Sequence, residues 1–348
     1  MAFHFSRLLG SRQAPLLGID IAAGGIRVIE LAQAGKRVRV EHYAMEALPH
    51  GALRDDSIVQ FDQVAEALRR ALKKCGSRTR AAALALPSGS VISKTLILPA
   101  HLTETEIDLQ VEVEAGQSLP FALDEISLDY GVLGPAANTP DSNELLLVAA
   151  RKDKINERLA LAEAAGIKTL VMDIDSHAAR AAMASLIARD AGETHMGDAP
   201  TATQAVALFQ IGTDASNLTV MQGQRMLYER EQTFGSHKLE QDLARASGST
   251  QLILESFNDA AAQELSRALQ LFFSSTAHTS IAHVYLAGSS VHTPGLLAML
   301  AQRLSTVVSL ADPFSSMQLA PHISAPQLKT DAPSCLVACG LAMRSFAQ

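Results

Sequence analysis

Three strand-and-turn segments, far apart in a chain of 348 residues, share one grammar and constrain the fold more than anything else in the sequence. They are residues 16–30 (LLGIDIAAGGIRVIE), 205–221 (AVALFQIGTDASNLTVM) and 281–300 (IAHVYLAGSSVHTPGLLAML). In each, an apolar strand runs into a tight turn of small residues. Such turns let backbone N–H groups close around an anion with no Cβ in the way. Two hairpins facing each other, with a third glycine turn opening a helix, would frame a phosphate cradle. The second hairpin carries Gln210 where such a cleft would want a carboxylate.

The segments between these turns repeat one order: strand meander, helix, strand, helix. In the first half, LLGID, GIRVIELA and RVRVEHYAMEAL form the meander, and Val64, Ala67, Leu68, Ala71 and Leu72 stripe a helix over residues 61–75. The second half opens a new meander at AVALFQIG. This duplication predicts a two-lobed α/β fold with a cleft between the lobes. Residues 88–150 break the alternation: a strand (SVISKTLILP), a helix opened by the capping-box pair Thr103 and Glu106, and two further strands. They read as a small inserted α+β subdomain. The expected division is a tail over 1–14, a first lobe over 15–87 and 151–189, the insert over 88–150, and a second lobe over 205–348. The polar stretch 189–204 is the expected boundary.

Composition excludes several classes. The net charge of −7, without a long Lys/Arg run, argues against nucleic acid as partner. Trp is absent and aromatics are 4%, which argues against stacking platforms. No run approaches the roughly 18 apolar residues of a membrane span. The start, MAFHFSRLLGSRQAP, lacks the h-region of a signal peptide, so a cytoplasmic chain without a direct membrane span is expected. Phe3, Phe5, Leu8 and Leu9 in that start could meet a membrane surface or a partner, or belong to a mobile tail. Cys75, Cys335 and Cys339 are an odd number and read as reduced core thiols. No histidine stands at a metal-ligand spacing, and no metal site is assigned.

The ordered series SGSVISKTLILP, VEVEAGQSLPFALDEISLDYGV, LLLVAARKD, TLVMDIDSHAAR, LYEREQTFG and ADPF resembles the type IV pilus assembly PilM family, FtsA-like members of the actin-like ATPase superfamily. The resemblance spans nearly the whole chain. It implies a two-lobed actin-like fold with the insert in the first lobe. It also implies a ring- or dimer-forming scaffold at the base of the pilus machine, held to the inner membrane through the cytoplasmic tail of a PilN-like protein. Pilus motor or platform components are further implied partners.

By the same resemblance Asp20 matches the carboxylate that holds Mg²⁺ beside ATP, and Gly24, Gly25, Gly212, Thr213, Gly235 and Gly288 match the turns around the nucleotide. The chain departs from the pattern in four ways. AAGG replaces a hydroxyl-rich turn, and Gln210 replaces Asp. Ser236 and Ser289 each replace a glycine. Residues 247–254 are shorter than the helical segment the family carries, which would leave a shortened second lobe. Asp20 and Gln210 are then vestigial catalytic candidates, Mg²⁺ at Asp20 depends on ATP, and ATP binding is expected to be weakened or lost. The alternatives are a weak ATPase of pilus or type II secretion machinery and, further off, a sugar-kinase-like phosphotransferase.

For the partner tail, Ser93, Thr95 and Ile97 on the strand, with Glu106, Leu109, Glu112 and Val113 on the helix, are the candidate contacts, expected to form one groove against the first lobe. Asp173 and Asp175 form a carboxylate pair at a strand end, open to an acid/base role but read first as a strand terminus and a helix N-cap at Asp175 or Ser176, with His177 structural or on a solvated face.

Overall fold

The computed structural model describes residues 15–35, 37–49, 51–54, 57–136, 139–193, 204–246 and 250–346. The expected tail, most of the expected boundary and residues 247–249 of the shortened segment lie outside them. β1 (Leu17–Ala22), β2 (Gly25–Ala34) and β3 (Arg37–Glu46) form an antiparallel meander. A short ribbon of β4 (Leu53–Arg54) and β5 (Ser57–Ile58) leads to α1 (Phe61–Cys75). Val64, Ala67, Leu68 and Ala71 of α1 are wholly buried. Gly76 ends the helix at φ 70°, a left-handed cap open to glycine. β6 (Ala81–Leu86) then lies parallel to β1.

The insert follows as β7 (Val91–Pro99), α2 (Glu104–Ser118), β8 (Ile126–Pro135) and β9 (Ser142–Arg151), with strand order β7-β9-β8. Leu96, Leu98, Leu145 and Leu147 bury one sheet face under Val111 and Ala115 of α2. Thr103 and Glu106 close the capping box. The first lobe resumes with α3 (Lys152–Ala164), β10 (Lys168–Ile174) and α4 (Asp175–Glu193).

The second sheet begins with β11 (Ala205–Ile211), β12 (Ser216–Gln222) and β13 (Arg225–Gln232), followed by α5 (His237–Arg245) and α6 (Gln251–Ser275). Then come β14 (His283–Ala287), α7 (Leu296–Leu304) and β15 (Val307–Leu310). Strand order is β13-β12-β11-β14-β15 here and β10-β6-β1-β2-β3 in the first sheet. Each is a meander with two parallel strands added beside its first strand, so the duplication read from sequence is a duplication of topology.

The chain end departs from the expected division. β16 (Gln318–Leu319) pairs in parallel with β3, at the edge of the first sheet, and α8 (Ala325–Asp331) follows within a stretch expected to be loop. The last helix, α9 (Leu336–Met343), lies against β1, β2 and α4. A Cβ added at Gly18 would sit 2.1 Å from the Ala338 carbonyl oxygen, and one at Gly340 1.8 Å from that of Ala178. Residues 205–348 therefore do not form one lobe. The reason is that α9 is apolar all round, and a helix without a polar face must be covered on every side. Its residues join Ile29, Ala179 and Met183 of the first lobe with Val206, Leu208 and Tyr285 of the second in one core.

Candidate functional site

The three small-residue turns converge. A Cβ built on Gly24, at the tip of the β1–β2 hairpin, would lie 3.5 Å from Thr213 Oγ1 and 3.7 Å from Ser289 Oγ. Thr213 belongs to the β11–β12 turn, and Ser289 follows β14. Gly235 and Gly288 are held by close approach: an added Cβ would come within 2.1 Å of the Thr213 and Ile211 carbonyl oxygens. Gly288 also sits at φ 111°. At the start of α5 the Ser236 N–H donates to the Gly212 carbonyl, and the His237 N–H donates to that of Thr213, both at 2.9 Å. Asp20, Gly24, Gly25, Gly212, Thr213, Gly235 and Gly288 are thus gathered in one region. Gln210 is half-buried near the end of β11, opposite Asn217 and Ala287.

Sequence reasoning missed the two cations beside Asp20. Arg27 stands directly across the β1–β2 register from Asp20. Its Nη1 lies 3.5 Å from Asp20 Oδ2 and donates to the Gly25 carbonyl at 3.0 Å. Arg158, only 2% exposed, donates from α3 to the Ile21 carbonyl at 3.0 Å. Burial pushes the Asp20 carboxyl above its ordinary range, while Arg27 and then Arg158 pull it down. Arg27 Nε is buried with no hydrogen-bond partner among the described residues. Arg27 was legible by counting across the hairpin. Arg158 was not, because KDKINERLALAEA reads as an ordinary surface helix.

A second charged group joins the end of β10 to the residues after α9. Arg344, after α9, bonds Asp173 at the end of β10 through Nε at 2.6 Å and Nη2 at 2.5 Å. Asp175 accepts from the Ser88 N–H at 2.9 Å and from the Ser88 hydroxyl, so it anchors the start of the insert. His177 follows on α4 and feels the charges of Arg180, Asp173, Glu229 and Arg344. Burial and Arg180 hold it down at about 4 against the pull of Asp173 and Glu229. Asp173 and Asp175 therefore serve different structural partners. The three cysteines are buried free thiols, Cys335 pushed up to about 12 by burial.

The insert shows two open surfaces, not one groove. Strand side chains alternate between faces, and Leu96 and Leu98 point under α2. Ser93, Thr95 and Ile97 are exposed on the opposite face, beside half-buried Leu146 and Val148. Glu106, Leu109, Glu112 and Val113 are exposed on the outer side of α2. The candidate partner residues therefore lie on two sides of the subdomain, because the sheet core separates them. A polar concavity of about 310 Å³, lined by Gln204, His278, Thr279 and Ser280, sits at the start of β11, away from the three turns.

A family model described as type IV pilus assembly protein PilM matches residues 18–346. The chain belongs to the PilM family. A solved structure described as the PilM-PilN type IV pilus biogenesis complex is similar at TM-score 0.79 and 22% identity, over 97% of this chain and 100% of that one. Ethanolamine utilization protein EutJ from Carboxydothermus hydrogenoformans is similar at TM-score 0.51 and 11% identity, over 95% and 92% of the two chains. At these identities the structural likeness bears on the fold alone. The α/β, two-lobed, actin-like PilM fold accounts for the paired sheets, the converging turns and the insert after β6.

Proposed function

We propose that this PilM-family chain is a scaffold of pilus assembly that binds the cytoplasmic N-terminal tail of a PilN-like inner-membrane protein. Through that tail it would sit at the cytoplasmic face of the inner membrane, and its ATP binding is weakened or lost. The observation that carries the partner half is the free edge of β7, with Ser93, Thr95 and Ile97 exposed beside Leu146 and Val148. An extended tail added there would gain main-chain hydrogen bonds from the edge and apolar contact from the face. The relative solved as a PilM-PilN complex supports that choice of partner.

The cleft half rests on Arg27 and Arg158. A Mg²⁺-nucleotide is commonly held by one or two protein carboxylates beside its own phosphates and water. Here Asp20 already has Arg27 at 3.5 Å and feels the charge of Arg158, and Gln210 cannot neutralise a cation. Among the described residues no group of three or more His, Cys, Asp or Glu could hold a metal ion. This reading rests on the guanidinium groups beside Asp20, since a nucleotide-bound Mg²⁺ takes only one or two carboxylates and draws its other ligands from phosphate and water. A second reading, weak retained ATP binding, is favoured by Arg27 Nη2, Thr213 Oγ1 and Ser289 Oγ, which lie 3.2, 3.5 and 3.7 Å from a Cβ built on Gly24.

Two titrations of the full chain test the proposal. A PilN-like N-terminal peptide should bind, weaken at least tenfold with Ile97→Asp, and bind equally with or without ATP–Mg²⁺. ATP–Mg²⁺ should move the melting temperature by less than about 2 °C, since a ligand stabilises only as RT ln(1 + [L]/Kd). Peptide binding unaffected by Ile97→Asp would move the partner elsewhere. ATP turnover abolished by Asp20→Ala would restore the enzyme reading.

A further inference from the structure

Charge of opposite sign gathers at the two ends of the first lobe. β1, β6 and β10 run parallel, so Leu17, Ala81 and Lys168 start at one pole, while the Gly24 turn and the insert leave from the other. The strand length alone separates the poles by about 20 Å. Residues 88–150 hold ten Asp and Glu against one lysine, a net of −9 where the whole chain is −7. The pole where the strands start is basic. Arg69, Lys73, Arg78 and Arg80 are exposed between α1 and β6, Lys168 is exposed at the start of β10, and Arg37 is exposed after the β2–β3 turn.

Packing brings these cations onto one surface. The Lys168 N–H donates to the Arg80 carbonyl at 2.7 Å, and Arg69 Nε donates to the Ala164 carbonyl at 3.2 Å. Thr79 Oγ1 donates to Glu30, the register partner of Leu17, at 2.7 Å. β2 runs on past Glu30 to Ala34, which pairs with Arg37. Lys73 lies one helical turn beyond Arg69. Exposed Glu66 and Glu163 stand beside them, and Glu66 pairs with Arg69 at 2.8 Å. Arg37, Lys73, Arg78, Arg80 and Lys168 make no ion pair among the described residues. Like charges gathered without counter-charges repel, so the fold itself gains nothing from this cluster. Leu170, two residues on from Lys168 on the edge strand β10, is 47% exposed.

Residues 1–14 join the lobe at the same pole, ahead of Leu17, and by sequence they add Phe3, Phe5, Leu8 and Leu9 with Arg7 and Arg12 and no Asp or Glu. An anionic bilayer is a surface that takes both kinds of side chain, since its headgroups attract the cations and its interface accepts the rings and leucines. A nucleic-acid backbone would take the cations and leave the apolar residues in water. We propose that this pole of the first lobe lies on an anionic phospholipid surface, with its lysines and arginines at the headgroups, the apolar residues of 1–14 in the interface, and the acidic insert held away from the lipid. Basic residues and a few apolar side chains are each weak signals, so the attachment is reversible and needs both. It is a direct contact of this chain with lipid, and it goes beyond placement through a partner's tail while leaving the insert free for that tail.

Co-sedimentation of the full chain with vesicles, in the absence of any partner protein, tests the contact. The chain should bind phosphatidylcholine vesicles containing about 30% phosphatidylglycerol and bind pure phosphatidylcholine at least about tenfold more weakly. Salt should release it, because exposed charges are screened. Lys73→Glu/Arg78→Glu/Lys168→Glu should weaken binding at least about tenfold. Arg245→Glu/Arg267→Glu/Arg303→Glu makes the same change in net charge at exposed positions of the second lobe. Beyond a screening length those charges should alter binding by less than about threefold. Phe5→Ser/Leu8→Ser/Leu9→Ser should weaken it at least about fivefold. A matched circular dichroism spectrum checks the folding of each variant. The PilN-like peptide titration reads the insert, so the two readings fail separately. Five results would overturn the proposal: no binding to anionic vesicles, equal binding to neutral ones, a second-lobe reversal as damaging as the pole reversal, serine variants that bind like the parent, or preference for a DNA duplex over anionic vesicles at equal phosphate.

Discussion

A double-mutant cycle on Asp20 and Arg27 has an outcome that a simple ion-pair picture would not give. Nη1 lies 3.5 Å from Oδ2, and the two side chains are 7% and 12% exposed for Arg27 and Asp20 respectively. At an effective dielectric of about 20, that separation corresponds to about 5 kcal/mol of attraction. Burial opposes it, and for Asp20 burial is the larger effect: its carboxyl stands above the ordinary 3.8 despite Arg27 and Arg158. A folded pKa above the unfolded one means that the native state holds the proton more tightly. Stability is then fully present below 3.8 and is lost as pH rises through the folded value.

Asp20→Asn keeps the shape and removes the charge, so at pH 7 without nucleotide it should leave stability unchanged or raise it. Arg27→Met strands a buried carboxylate, and breaking such a pair costs about 3–5 kcal/mol. For a cooperative unit of about 200 residues, roughly 2–4 °C per kcal/mol makes the drop in Tm about 10 °C. Combining both changes should recover at least half of it, because the stranded charge is gone. Thermal and urea unfolding followed by circular dichroism measure all four corners. The reasoning fails if Asp20→Asn destabilises as much as Arg27→Met, or if the two losses add.

Two further outcomes follow from the packing and the buried histidine. Gly340→Ala should destabilise by more than about 3 kcal/mol, since the methyl would meet the Ala178 carbonyl oxygen at 1.8 Å; Gly35→Ala, left-handed but in open space, should lose only about 1 kcal/mol, and urea unfolding compares the pair. His177 titrates near 6.5 unfolded and about 4 folded, so its contribution is full above 6.5 and is lost as pH falls toward 4. Between pH 7 and pH 5 that loss is about 2 kcal/mol, and His177→Gln should flatten the corresponding slope in stability against pH.

The lobes were legible because they depend on periodicity. Alternation in RVRVEHYAME and the α1 stripe fixed local elements, and the repeated meander fixed the two sheets. The fate of the chain end was not legible. Nothing in DPFSSMQLAPHISAPQLK marks Gln318 and Leu319 as a sheet edge, because two residues carry no period. The apolar run of α9 says that it is buried without saying against which lobe. The same limit applies to the insert: alternation along β7 showed two faces, but which one α2 would cover depended on a tertiary choice made by Val111 and Ala115.

The cleft poses a different problem, because the sequence reading weighed its carboxylate without the two arginines beside it. Asp20 alone suggests a metal ligand. Asp20 with Arg27 across the hairpin and Arg158 beneath is a carboxylate whose counter-charge the chain supplies itself. A buried charge that lowers stability is kept by evolution only where something offsets it. If Asp20→Asn raises the melting temperature and ATP–Mg²⁺ moves neither form, Asp20 is a remnant whose burden Arg27 and Arg158 reduce. If ATP–Mg²⁺ stabilises the parent chain and not Asp20→Asn, the carboxylate still serves a cation, and the two arginines instead order the site before the nucleotide arrives. The same four-corner cycle, run with and without nucleotide, therefore separates a relic from a preorganised site.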